Sequence, residues 1–242
     1  MSRFKWTEGA GFGYLRAGDA GFTGSALSFK DGEIDSLARA LLSQLAAGRL
    51  LLLSQCHGTE IVDLKASEFE QSFEPVSAAG IVYQSKRPFD GIRLLNSEKE
   101  KFKGAVLGIK TADCIPLILI GREQTVLLHA GWRGLAAGII EAALQQDWEG
   151  GQAFIGPCAG AQRYEVGPEV LAALGARAVF RPVPGGKALL DLAATAEKIL
   201  CSVFAPSQIS VSGVCTISDR RFHSFRRDGA KAGRNISFIA IG

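Results

Sequence analysis

Histidine and methionine are scarce in this sequence. Only three histidines occur among 242 residues, and Met1 is the sole methionine. A multicopper oxidase needs a blue-copper site of two histidines, a cysteine and an axial ligand, together with further histidines for a cluster that reduces oxygen. The sequence therefore disfavours a multicopper oxidase.

An excess of charge and long apolar runs are also missing. Lysine and arginine total 27 against 24 for aspartate and glutamate, so no strong electrostatic field indicates a nucleic-acid partner. The longest apolar runs, Leu50–Leu53 and Ile115–Ile120, are far shorter than the roughly 18 residues of a membrane span. The first ten residues lack the apolar core of a signal peptide. We therefore expect a cytoplasmic protein with neither nucleic acid nor membrane as partner.

Cysteine is present in an odd number and without pattern. A disulfide framework is not expected in a chain without a secretory signal, so we predict reduced thiols. For Cys56, Cys158 and Cys201 the simplest interpretation is that of a small buried apolar side chain. The five cysteines are Cys56, Cys114, Cys158, Cys201 and Cys215.

Apolar segments bounded by glycine predict the framework of the fold. Short runs rich in valine, isoleucine and leucine indicate buried strands, and the segments between them show helical periodicity. The predicted strands are Leu50–Ser54, Ala105–Ile109, Pro116–Ile120, Val126–His129, Ala153–Ile155, Ile209–Val214 and Ile236–Ile241. The predicted helices are Ile34–Ala47, Leu135–Gln146, Glu169–Leu174 and Leu192–Phe204, the last with Asp191 as its N-cap. We predict an α/β fold in one domain spanning residues 1–242, with loops at Lys65–Asp90 and Pro182–Lys187.

Three residues with metal-binding side chains lie where predicted strands meet loops. His57 and His129 end or follow apolar runs, and Cys114 interrupts one. Two imidazoles and one thiolate suit zinc and leave a fourth coordination position for water or substrate. The spacing lacks the short clustering that identifies a zinc site by itself. An alternative makes Cys114 a nucleophile and His129 its base.

Arginines concentrate near the C-terminus, at Arg226, Arg227 and Arg234. Guanidinium groups match the oxygens of a phosphate, so the segment is a candidate phosphate site. A solvated basic loop beside the last strand is the alternative.

Taken together, the chain resembles the YfiH-like family, also called the laccase-domain or polyphenol oxidase family, which includes the peptidoglycan editing factor. The resemblance extends from about Leu50 to the C-terminus. It rests on these segments: Gln55-Cys56-His57-Gly58, Asp90-Gly91, Thr111-Ala112-Asp113-Cys114-Ile115-Pro116, His129-Ala130-Gly131-Trp132-Arg133-Gly134, Ile155-Gly156-Pro157, Tyr164-Glu165-Val166-Gly167, Asp191-Leu192, Cys215-Thr216, Ser224-Phe225-Arg226-Arg227-Asp228 and Gly233-Arg234.

This resemblance implies a fold and a metal site. The fold is a layered α/β/β/α sandwich with mixed sheets, similar to the catalytic domain of cytotoxic necrotizing factor. The metal ligands are His57, Cys114 and His129, with zinc as the expected ion and copper as a second possibility. Members carry an arginine before a Gly-Gly-Val-Ser loop near the N-terminus. Here Arg16 is the candidate counterpart, but the loop reads Ala17-Gly18-Asp19-Ala20.

The resemblance also implies phosphorolysis of purine nucleosides (adenosine, inosine and methylthioadenosine) and deamination of adenosine. The expected ligands are then a purine nucleoside and phosphate, and we expect a monomer. Cys114, His129 and Asp113 are the catalytic candidates; Asp113 either protonates the leaving ammonia or orients a neighbouring ligand. Arg133, Arg226 and Arg16 are the candidates for binding substrate. Alternatives are an amidohydrolase that edits peptidoglycan precursors, a copper-dependent polyphenol oxidase and a binding module without turnover.

Overall fold

Two β-sheets face each other at the centre of the structure. The computed structural model describes residues 4–9, 12–17, 20–23 and 34–242. The first strands along the chain are β1 (Lys5–Gly9), β2 (Phe12–Ala17), β3 (Ala20–Thr23), β4 (Arg49–Ser54), β5 (Ile61–Asp63), β6 (Phe73–Pro75), β7 (Val82–Pro88), β8 (Gly91–Leu95) and β9 (Ala105–Thr111). The later strands are β10 (Ile115–Ile120), β11 (Gln124–Ala130), β12 (Gln152–Ile155), β13 (Glu165–Val166), β14 (Phe180–Val183), β15 (Lys187–Leu190), β16 (Ile209–Val211) and β17 (Asn235–Ala240).

The longer helices cover the outer faces of the two sheets. The α-helices are α1 (Ile34–Gln44), α2 (Phe69–Ser72), α3 (Asn96–Lys99), α4 (Trp132–Ala137), α5 (Ile139–Leu144), α6 (Pro168–Leu174), α7 (Leu192–Leu200) and α8 (Phe225–Asp228). Short 3-10 turns occur at Ala66–Glu68, Glu100–Phe102, Gly175–Arg177, Pro206–Gln208 and Gly229–Lys231. Within the described ranges, no helix combines the length and the apolar character needed to cross a bilayer.

Both large sheets mix parallel and antiparallel pairs. The first sheet has the order β1-β2-β3-β17-β9-β4-β7-β6, and the second has the order β16-β12-β10-β11-β8-β5. A small third sheet, β13-β15-β14, lies apart from them in the topology. In the first sheet β4 runs parallel to both β7 and β9, whereas in the second sheet β10 and β11 form an antiparallel hairpin.

Strand β4 shows how the layers are held together. Successive side chains of a strand point to opposite faces, so an uninterrupted leucine run must be buried on both sides. Leu51 and Leu53 pack into the apolar layer between the two sheets, while Leu50 and Leu52 pack under α1. Helices α4 to α7 cover the outer face of the second sheet with a third apolar cluster. The predicted α/β/β/α layering is therefore confirmed.

The structure confirms most of the predicted strands but not the predicted long loop. The segment Lys65–Asp90 contains a helical turn, β6 and β7, so its assignment as a loop was wrong. Strand β7 is hard to recognise because its C-terminal half is exposed and charged. Pro182–Lys187 was also predicted to be a loop; residues 184–186 do form the turn of the β14–β15 hairpin, whereas Pro182, Val183 and Lys187 belong to its strands.

Three of the predicted helices end earlier than expected, among them α1, which ends at Gln44 rather than at Ala47. The segment Leu135–Gln146 is divided into α4 and α5 by Gly138, whose φ of 93° lies in the left-handed region that glycine tolerates. Helix α7 begins as predicted, because the Asp191 carboxylate accepts a hydrogen bond from the amide of Ala194 at 2.9 Å. It ends at Leu200 rather than at Phe204.

Candidate metal centre

The structure brings His57, Cys114 and His129 together at one end of the two sheets. One nitrogen or sulfur atom from each side chain lies within 4.8 Å of the others. His57 follows β4, Cys114 lies in the connection between β9 and β10, and His129 is near the end of β11. The β10–β11 register pairs Pro116 with His129, which places Cys114 close to the imidazole. The chain thus assembles the predicted ligand set from three separate elements.

Backbone strain is concentrated at this cluster. His57 has a φ of 64° and Asp113 a φ of 89°, in the left-handed region that residues other than glycine rarely adopt. Among the described residues other than glycine, only Ala46 shares a positive φ. Such conformations persist where surrounding contacts impose them, and they cluster at functional sites.

Asp90 lies beneath the cluster and was missed as a site residue by the sequence analysis. Its side chain is fully buried. One carboxylate oxygen accepts from Nδ1 of His129 at 2.7 Å and from the amide of His57 at 3.0 Å. The other accepts from the amides of Gly58 at 2.6 Å and Cys56 at 3.2 Å, and from the Cys56 thiol. Asp90 therefore fixes both the loop that carries His57 and the ring of His129.

The hydrogen bonds of Asp90 also determine the protonation of the cluster. Burial alone would raise the pKa of Asp90, but hydrogen bonds from His129 and Gly58 hold that pKa below its ordinary value. The carboxylate is thus an acceptor, so Nδ1 of His129 carries the proton and Nε2 is left to face the site. Carboxylate–histidine pairs of this kind orient metal-binding imidazoles.

The Cys114 thiol is set up to lose its proton. Burial would raise its pKa, but hydrogen bonds from His129 and His57 outweigh burial and lower that pKa. Burial would lower the pKa of His129, and its hydrogen bonds with Asp90 and Cys114 raise that pKa instead. A thiolate is both the metal-binding form of cysteine and its nucleophilic form. The shift therefore suits either role of Cys114.

Gly131 provides a steric test of whether the residues present fit a metal ion. A Cβ atom at this position would lie 2.8 Å from Sγ of Cys114 and 3.1 Å from Cδ2 of His57. The φ of −73° at Gly131 is open to any residue, so only the space beside the ligands requires glycine. With two nitrogen ligands, one sulfur ligand and room beside them, the site fits a divalent ion such as zinc.

We expect Gly131→Ala to lower metal affinity at least about tenfold, because the added methyl group displaces Cys114 or His57 from the ligand geometry. Competition with a chromogenic chelator measures the change. Gly48→Ala is the matched control, since a Cβ there has no neighbour closer than 4.0 Å. An alanine variant at position 131 with unchanged metal affinity would contradict this explanation.

A cavity of about 610 Å³ opens over the three ligands. Trp132, Arg133, Tyr164 and Arg226 line part of it. The Arg133 guanidinium lies 4.4 Å from the Trp132 ring centroid, and that of Arg226 lies 4.7 Å from the Tyr164 ring centroid. Stacking of this kind orients a guanidinium without neutralising its charge. Two of the three predicted substrate-binding arginines thus reach the cavity.

Asp113 also lines the cavity, but its carboxylate is engaged. One oxygen accepts from the Thr216 hydroxyl and the other from the amide of Arg226, both at 2.6 Å. Ser224 caps the same short helix by accepting from the amide of Arg227 at 3.1 Å. Asp113 therefore fixes the start of α8, the helix that carries Arg226.

Other candidates from the sequence lie elsewhere. Arg16 is on β2, is exposed and is not among the residues that line the cavity. Gly18 and Asp19 of the altered loop are outside the described residues. All five cysteines are free thiols, as predicted. Cys158 is buried, but Cys56 and Cys201 are exposed, so their interpretation as buried apolar side chains was wrong.

Comparisons with known proteins show which sequences and structures this chain is similar to. Residues 31–242 match the family described as multi-copper polyphenol oxidoreductase laccase. A purine nucleoside phosphorylase of Xylella fastidiosa strain Temecula1 is 36% identical over 204 residues, which cover 78% of this chain and 71% of that protein. A protein named adenosine deaminase RL5, from an unknown prokaryotic organism, is 32% identical over 155 residues, covering 57% and 59%. The crystal structure of the Bacillus licheniformis hypothetical protein YfiH superposes with a TM-score of 0.81 at 22% identity, covering 98% and 99%.

Proposed function

The chain belongs to the multi-copper polyphenol oxidoreductase laccase family, and on that premise we propose that it is a zinc-dependent purine nucleoside phosphorylase that also deaminates adenosine. One observation carries the proposal: a single cavity joins the His57–Cys114–His129 cluster to two arginines held on aromatic rings. Relatives named purine nucleoside phosphorylase and adenosine deaminase support both activities.

Zinc is favoured over copper by the ligands available to this chain. Only His223 remains as a further imidazole, and it is not among the residues that line the cavity. Within the described residues, His57, Cys114 and His129 are the one group of three or more such side chains close enough to hold an ion. A copper cluster that reduces oxygen needs more histidines than this. When bound, zinc supplies a Lewis acid at the floor of the cavity.

Phosphorolysis requires cations beside the attacking phosphate. Arg133 and Arg226 are the candidates, because their guanidinium forks match phosphate oxygens and both face the cavity. Asp113 acts as a positioning residue, because its carboxylate holds the backbone amide of Arg226. Both carboxylate oxygens of Asp113 already accept a hydrogen bond, which favours this role over donation of a proton to the leaving group. Asp90 similarly positions His129 and the loop of His57.

The proposal is tested by incubating the zinc-loaded protein with adenosine, with and without phosphate, and separating the products by chromatography. Adenine and ribose 1-phosphate that form only with phosphate support phosphorolysis, whereas inosine supports deamination. If neither forms, the nucleoside function fails, and hydrolysis of peptidoglycan precursors becomes the hypothesis to test.

We expect Arg226→Ala to raise the apparent KM for phosphate about tenfold or more while the KM for nucleoside changes less than about twofold, because one charged hydrogen-bonding partner of phosphate is lost. Steady-state kinetics with phosphate and inosine varied separately measure both constants. Arg122→Ala is the control, since that side chain is 86% exposed. An unchanged phosphate KM would remove Arg226 from this role.

A further inference from the structure

One large apolar side chain is exposed inside the cavity over the candidate metal ligands. Five such side chains in the described part of the chain are exposed, and Phe225 is the most exposed of them at 55%. Phe225 is also the one among these five that lines the cavity. Apolar surface in contact with water is unfavourable, so a ligand that covers it in a concave site binds more tightly. The position of Phe225 therefore indicates a contact with a ligand.

The other large aromatic side chains of the cavity already have a partner. Trp132 packs against the Arg133 guanidinium, and Tyr164, which is buried, packs against that of Arg226. Phe225 differs from both, because no ring or cation within the described ranges stacks on it. Much of its ring is therefore open to a ligand in the cavity.

The backbone that carries Phe225 is fixed on both sides. Two residues before it, the amide of His223 donates to the Asn235 side chain at 2.8 Å, and that side chain donates to the carbonyl of His223 at 2.9 Å. One residue after it, the amide of Arg226 donates to the Asp113 carboxylate at 2.6 Å. Asp113 directly precedes a candidate metal ligand in the sequence. Restrained backbone thus presents the ring to the cavity, which reduces the entropy lost when a ligand binds.

Phosphorolysis brings together a base, a ribose and a phosphate, and of these only the base matches an exposed phenyl ring. Phosphate and ribose present charge or hydroxyl groups, which need hydrogen-bonding partners. A purine presents a flat aromatic face, which stacks favourably on an aromatic side chain. Arg226, the next residue, lines the same cavity and is the candidate for phosphate. Because consecutive residues of a helix point about 100° apart, Phe225 and Arg226 can hold different parts of the reaction.

We propose that Phe225 is the base-binding residue of this cavity: its exposed ring stacks on the face of the purine, while Arg226 beside it holds the attacking phosphate. This role of Phe225 rests on the proposed function, which supplies the identity of the ligand. It deepens that function by assigning recognition of the base to the start of α8.

Phe225→Leu tests the stacking, because leucine keeps an apolar side chain but lacks the flat ring. We expect the dissociation constants of inosine and of hypoxanthine, measured by calorimetry on the zinc-loaded protein in phosphate-free buffer, to rise about fivefold or more. The KM for phosphate should change less than about twofold. Phe225→Tyr, which keeps the ring, should stay within about twofold of the natural protein in all three constants. Phe180→Leu is the matched control, since its ring is 45% exposed outside this cavity, and it should change nothing.

Unchanged affinity for inosine and hypoxanthine in Phe225→Leu would overturn the role of Phe225. Equal losses for base and phosphate would also overturn it, because they would mean that the variant displaces α8 instead of removing one contact. If inosine binds, and binds more weakly to Phe225→Leu, but is never cleaved, Phe225 keeps its role and the proposed phosphorylase activity fails. Cleavage of inosine with unchanged affinity in Phe225→Leu is the converse result. A protein that neither binds nor cleaves inosine would contradict both.

Discussion

Cys114→Ala is expected to lose bound metal and to lower kcat/KM for inosine phosphorolysis by more than about a hundredfold. This loss is larger than the loss of about 10- to 100-fold that is typical when a residue that only supports a metal ligand is replaced. In the proposed site Cys114 is the one sulfur ligand, and the ligand atoms of its two histidine partners lie within 4.8 Å. Without it, two imidazoles remain, which is fewer protein ligands than catalytic zinc sites have. Metal content by mass spectrometry and turnover by product chromatography measure the two losses.

Cys201→Ala is the matched control, because its thiol is exposed and follows the end of α7, outside the cavity. That variant should keep both metal and activity. Full metal content in Cys114→Ala would show that the thiol is not needed as a ligand. Full phosphorolysis in a metal-free Cys114→Ala protein would contradict the metal-dependent function altogether.

The same variant separates the two roles of Cys114 that the sequence left open. A nucleophile forms a covalent intermediate with substrate, whereas a ligand does not. The thiol is a nucleophile if Cys114→Ala keeps its metal but loses turnover, and if mass spectrometry of a rapidly quenched reaction detects a covalent adduct of substrate with the natural protein. Loss of the metal together with turnover assigns it as a ligand.

How far the fold could be predicted depended on how fully each strand is buried. Strands such as β4 and β10 are apolar along most of their length because both of their faces are covered, and such runs are visible in a sequence. Strand β7 could not be found in this way, because three of its seven residues are exposed. The division of the helix after Trp132 had a visible signal in Gly138, since an isolated glycine lowers confidence in a continuous helix.

The family motifs predicted the three metal-binding candidates of the site but not the residue that positions them. His57, Cys114 and His129 stand in segments that resemble a known family, and the structure brings them together. The motif Asp90-Gly91 was noticed, but a single acid before a glycine does not indicate what it contacts. Its partners lie 32 to 39 residues away in sequence. The contact with His129 is set by the pairing of β8 with β11, which places the Asp90 carbonyl on the amide of His129 at 2.8 Å. The contacts with the loop of His57 are set by the pairing of β5 with β8.

Asp90→Asn is expected to lower the free energy of unfolding of the metal-free protein by about 3–5 kcal/mol, the cost of breaking a buried ion pair by changing one partner, because the raised pKa of His129 keeps its imidazole protonated when no metal is bound. The Asp90 and His129 side chains are 0% and 4% exposed, so water cannot replace the lost acceptor. An amide has one oxygen, and its NH₂ group would face donors that now point at a carboxylate. Urea unfolding measures the loss of stability. Metal affinity should also fall about 10- to 100-fold, because His129 and the His57 loop lose their fixed orientation.

Asp63→Asn provides the matched control, since it makes the same chemical change in a partly exposed pair. The Asp63 and Arg93 side chains are 37% and 22% exposed, and their closest approach is 2.7 Å. A pair near the surface contributes about 1 kcal/mol or less, so this variant should keep its metal affinity and nearly all of its stability. If Asp90→Asn behaves like Asp63→Asn, the carboxylate does not organise the site. If Asp90→Asn loses stability but binds metal normally, Asp90 supports the fold alone and His129 is oriented by its packing against His57, whose ring centroid lies 4.8 Å away.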